Sequence, residues 1–107
     1  MHKGEVYKGA ATTRNKATFQ RIFANPKIGR RIKAPRLSES ARLNHVGFFA
    51  RELHNPRFEK YRDCSVYGEK GKVYLCFFKN GGGPGQEQWH RLIGVSPGKA
   101  MNAVLGR

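Results

Sequence analysis

Acidic residues are scarce in this chain, seven Asp and Glu beside 21 Lys and Arg. Cysteine is scarcer, with Cys64 and Cys76 alone, too few for a disulfide-built scaffold. Neither cysteine belongs to a Cys-x-x-Cys pair, and the four histidines (His2, His45, His54, His90) form no His-x₃-His pair, so no metal is expected. No apolar run approaches the roughly 20 residues that cross a bilayer. The start, Met1-His2-Lys3-Gly4-Glu5, has no apolar stretch behind it, so no secretory signal is expected. These absences predict a cytoplasmic protein with no membrane partner and no small-molecule cofactor.

The shortage of acids leaves a net charge of +14 and a pI near 10.5. Such a surface repels itself and costs stability, while solubility needs only a handful of charges. The partner that gains most from it is nucleic acid, DNA or RNA, because each neutralised phosphate releases counterions. A larger nucleoprotein would offer the same phosphates.

The charge is uneven. Residues 1–36 hold ten cations and one acid, Glu5, for +9; residues 37–59 are neutral; residues 60–107 carry +5. The chain therefore divides into a basic N-terminal arm, 1–36, and a globular part, 37–107. Within the arm, Phe19, Ile22 and Phe23 mark one helical face, predicting a helix over 15–24 with Asn15 as N-cap and Asn25-Pro26 as its stop. Residues 27–36 show neither helical nor strand period and read as an extended cationic connector.

In the globular part, Leu43, Val46, Gly47, Ala50 and Leu53 fall on one stripe, predicting a helix from Ser38 or Ser40 to Asn55-Pro56. Two runs rich in aromatic and β-branched residues, 61–67 and 72–79, flank Gly68-Glu69-Lys70-Gly71 and predict a hairpin. With Glu69-Lys70 as loop residues, Val66 faces Val73 and Cys64 faces Leu75. One face then carries Cys64, Val66, Val73, Leu75 and Phe77, the expected core; the other carries Asp63, Ser65, Tyr67, Tyr74, Cys76 and Phe78. Residues 80–85 read as a glycine loop. A third strand over 88–95 and a helix opened by Ser96-Pro97 and closed by Gly106 complete the chain. The expected class is α+β: a small antiparallel three-stranded sheet with helices, helix–β–β–β–helix, preceded by the basic arm.

From about Ser38 that order resembles the double-stranded-RNA-binding domain, and Gly94-Val95-Ser96-Pro97-Gly98-Lys99-Ala100 resembles its last loop and helix start. Pro97, Gly98 and Met101 occupy places where that family carries lysines. The sheet backed by a C-terminal helix is also similar to the DNA-reading domains of phage integrase arms. Both likenesses imply a fold and not an activity.

Candidate contacts follow from chemistry. Lys27, Arg30, Arg31, Lys33 and Arg36 put five cations into ten residues without an acid, suited to tracking a phosphate backbone. Tyr74, with Tyr67 and Phe78, lies among Lys70, Lys72 and Lys79, an arrangement that can stack bases unless the N-terminal helix covers it. Lys99 stands at a helix start, where free N–H groups favour anions. The glycine loop lacks the Gly-Lys-Ser/Thr ending of a phosphate loop. The expected function is non-enzymatic nucleic-acid binding through the arm and the adjacent sheet and helix surface. Two alternatives are a ribonuclease resembling RelE-type ribosome-dependent toxins, with Tyr61, Lys79, His90 and Arg91 as its groups, and a small phage-type inhibitor docking on a nucleoprotein.

Overall fold

Three short polar side chains fix where the helices begin. Asn15 Oδ1 accepts from the Thr18 N–H and opens α1 (Lys16–Ile22). Ser38 Oγ accepts from the Ala41 N–H and opens α2 (Glu39–Leu43). Ser96 accepts from the Lys99 N–H, with Pro97 at the first position, and opens α3 (Pro97–Leu105), which Gly106 closes at φ 81°. The computed structural model describes residues 15–79 and 85–107. The first fourteen residues, with Lys3, Lys8 and Arg14 of the arm, and residues 80–84 of the glycine loop lie outside the described residues.

The class is α+β, but the sheet is larger than the sequence predicts. Five antiparallel strands stand in the order β1-β5-β4-β3-β2: β1 (Ile28–Ile32), β2 (Val46–Phe49), β3 (Asp63–Glu69), β4 (Lys72–Phe78) and β5 (Gln88–Leu92). Each added strand corrects an expectation. The helix expected to run from Ser38 to Asn55 stops after Leu43, where Asn44 caps it by donating from Nδ2 to the Ser40 carbonyl. Val46-Gly47-Phe48-Phe49 then pairs with β3, because alternation buries Val46 and Phe48 on one side and Gly47 is a poor helix former. Leu43, which the helical stripe assigned to the core, is 75% exposed. The cationic connector is likewise a strand at residues 28–32, hydrogen-bonded to β5. With two more strands and a short α2, the element order departs from the helix–three strands–helix of the domains it resembles.

The hairpin register moves by two residues. Val66 faces Leu75, Cys64 faces Phe77 and Tyr67 faces Tyr74, leaving Lys70 and Gly71 as the loop at φ 51° and 80°. A two-residue hairpin loop of this type needs positive φ at both central positions, and Gly71 supplies one without strain. A shift of two leaves the sorting of faces intact, since side chains alternate with period two.

The core lies on the Cys64, Val66, Val73, Leu75 and Phe77 face. Ala100, Ala103 and Val104 of α3 pack there, and so do Phe19, Ile22 and Phe23 of α1, with Phe19 meeting Phe48 edge-on at 5.1 Å. Phe58, from a 3₁₀ turn at Pro56–Phe58, stacks on Phe77 at 4.1 Å. Burial of each such ring is worth about 1.5–3 kcal/mol. No helix among the described residues is long and apolar enough to cross a membrane.

Candidate nucleic-acid interface

The second sheet face is built from the alternate residues of the same strands. Tyr67 and Tyr74 are cross-strand partners, Tyr74 faces Arg91, and Cys76 faces Trp89. These pairings bring Tyr67, Tyr74, Trp89 and Arg91 into one patch. The Tyr67 and Trp89 rings lie 5.2 Å apart, and the Arg91 guanidinium sits 5.9 Å from the centre of the Tyr74 ring. Lys72 borders the patch beside Tyr74 on the same face, opposite Glu69. Ser65 and Cys76 lie beneath it, fully buried, while Tyr74 and Trp89 remain half-buried.

Whether α1 covers this face is settled by the location of its apolar residues. Phe19, Ile22 and Phe23 sit in the core on the other side of the sheet. Two donors on the aromatic side, Trp89 Nε1–H and Arg91 Nε–H, are enclosed and have no acceptor among the described residues. Such donors are costly unless an acceptor arrives.

β1 extends the patch with charge. Ile32 pairs with Trp89 and shares its face, whereas Arg31 pairs with His90 on the core side; exposed Arg30 and Arg31, with Lys33 just after the strand, make this edge of the sheet cationic. The register shifts between Ile28 and Arg31, and there Arg57 donates to the carbonyls of Ile28 and Gly29 at 2.9 and 2.6 Å. His90 donates from Nδ1 to the same Gly29 carbonyl at 2.9 Å. Arg57 and His90 thus clamp the cationic strand to the domain.

The ten candidate residues do not form one surface. Arg30, Arg31 and Lys33 occupy the β1 edge, Arg36 follows in the exposed link to α2, and Lys72 and Tyr74 lie on the aromatic face. Lys70 is at the hairpin tip and Lys79 just past β4, both exposed. Lys27 and Lys99 lie apart, in a cleft between α1 and α3. Sequence reasoning did not select Trp89 as a contact. The signal was the alternation Gln88-Trp89-His90-Arg91-Leu92, which puts Trp89 and Arg91 together opposite His90 and Leu92.

The groups of the ribonuclease reading are not brought together. Tyr61 and His90 are buried on the core side against Phe77, and Arg91 is on the opposite face. Burial pushes the His90 pKa below its ordinary value, with the Arg57 and Arg31 guanidiniums adding to the shift and the Gly29 hydrogen bond opposing it. Among the described residues no group of three His, Cys, Asp or Glu could hold a metal.

Comparison with known proteins gives no match, whether with family models, curated sequences or solved structures. Any functional reading therefore starts from the site's own chemistry.

Proposed function

We propose that this is a non-enzymatic nucleic-acid-binding protein that holds a single-stranded segment of DNA or RNA against the aromatic sheet face. The observation that carries the reading is the aromatic face of Tyr74, Trp89 and Arg91, with the cationic strand β1 paired along its β5 edge. Rings with an accessible π-face stack unpaired bases at about 1–3 kcal/mol per base, and neighbouring cations follow the phosphates. Duplex DNA hides its bases from such a platform, so the aromatic part favours an unpaired strand. The net charge of +14 supplies the long-range attraction.

Trp89 is the sole tryptophan and lies within the patch, which makes it a built-in probe. Titration with a single-stranded oligonucleotide should quench or shift its fluorescence saturably, and Tyr74→Ala should weaken binding by about 1–3 kcal/mol without loss of fold. An unchanged Trp89 signal at strand concentrations that saturate by another method would move the contact off this face. A pulldown with and without nuclease separates this reading from docking on a nucleoprotein through protein contacts: association that survives nuclease favours the latter.

A further inference from the structure

On the helical side of the molecule a cleft of about 330 Å³ opens between α1 and α3. Arg21 reaches it from the last turn of α1, Lys27 from the following 3₁₀ turn, Lys99 from the first turn of α3 and Arg107 from just past its end. Thr18 and Asn102 add a hydroxyl and an amide, and among the described residues no carboxylate side chain lines the cleft. The four cations come from distant parts of the chain and converge only because α1 packs on α3. None of them has a salt bridge to a described residue.

The placement of Lys99 is the second observation. A helix start carries partial positive charge and favours acids, yet the first turn of α3 contains no acid and does contain this lysine. Arg21 is explained by its own helix, since a cation in a last turn is favoured; Lys99 is not. A cation set at the positive end of a helix, facing three more, is stabilised when an anion occupies the space between them.

We propose that this cleft is a phosphate-binding site, separate from the aromatic face, that takes a phosphomonoester or pyrophosphate group. The guanidiniums of Arg21 and Arg107 supply paired donors, the ammoniums of Lys27 and Lys99 supply charge, and Thr18 and Asn102 orient the oxygens. The group can belong to the phosphorylated end of a nucleic acid or to a free nucleotide or pyrophosphate. The site does not depend on strand binding at the sheet.

The test is an amide NMR titration of the full chain at constant ionic strength. Inorganic pyrophosphate should move the Gly94, Lys99 and Asn102 amides saturably and leave Tyr74 and Arg91 in place. Arg21→Ala with Lys99→Gln should weaken that binding at least tenfold, and the single Lys99→Gln variant serves should the pair perturb the fold. A 5′-phosphorylated oligonucleotide that moves these amides, where its 5′-hydroxyl twin does not, assigns the group to a strand end. Saturable shifts with pyrophosphate alone assign it to a small free phosphate compound. Shifts that match an equal ionic strength of sodium chloride, or that spread evenly over every cationic surface, overturn the proposal. The Trp89 titration reads the sheet face, so failure at one surface is distinguishable from failure at the other.

Discussion

Gly68 lies directly beneath Pro97, where a Cβ at position 68 would approach the proline Cβ to 2.7 Å. Glycine is required here by proximity, because it lets the start of α3 settle on β3. Gly68→Ala forces the helix start outward, and overpacking of this kind costs about 1–3 kcal/mol. A urea titration should show the loss, and an unchanged midpoint would mean that α3 docks more loosely than described.

His90 makes stability depend on pH, and the sign follows from its depressed pKa. The unfolded chain binds a proton near the ordinary value of 6.5, while the folded chain resists it. Stability is therefore retained above about pH 6.5 and falls as pH drops from there towards the lowered folded value. Denaturation midpoints measured between pH 7.5 and 5 should show this decline, and His90→Gln should flatten it.

The two thiols should be slow to react. Cys64 is buried in the core with its pKa raised by desolvation, and Cys76 is buried on the other side of β4, so no disulfide joins them. N-ethylmaleimide should leave the intact mass of the native protein unchanged over minutes and add two groups in denaturant. A bridge between them would show as two unreactive thiols in denaturant, and would require a register that brings both to one face.

The cationic strand should govern the salt dependence of binding. If the proposed binding runs along this edge, replacing exposed Arg30, Arg31 and Lys33 with alanine should shrink the log–log slope against salt by about 2 for a single strand. Thermal stability should hardly move, since exposed charges contribute little to folding. An unchanged slope would place the phosphates elsewhere.

Lys70 holds a left-handed backbone at φ 51°, which asparagine tolerates better. Lys70→Asn should stabilise the hairpin by roughly 0.5 kcal/mol, consistent with the preference for Asn-Gly in such loops. Strand affinity should fall only slightly, because this cation stands at the tip, away from Trp89.

Elements specified by local chemistry were legible in the sequence. Asn15, Ser96 and Gly106 announce helix ends by their capping preferences, and each acts as expected. The aliphatic and aromatic faces of the hairpin were legible for the same reason, since alternation survives a two-residue error in register. Less legible were the strands whose identity depends on a distant partner. Val46–Phe49 satisfies a helical stripe as well as it satisfies alternation, and only β3 decides between them. Ile28–Ile32 contains a bulge, which erases its period, and it becomes a strand by pairing with β5. The aromatic patch was half-visible: Tyr74 could be named from the hairpin, whereas Trp89 enters only through the β4–β5 pairing.

That last pairing also sets the order in which the molecule can be completed. β1 stands at the edge of the sheet, and among the described residues its sole strand neighbour is β5, some sixty residues further along. The β3–β4 hairpin can close as soon as its turn exists, whereas Ile28 must wait for Leu92 across a long loop whose closure is entropically slow. On a ribosome, the arginines of β1 emerge before β5 and stay without that neighbour until it has followed. The cationic edge thus acquires its shape only once β5 is made, and a chain cut short of β5 carries the charge without the platform beside it.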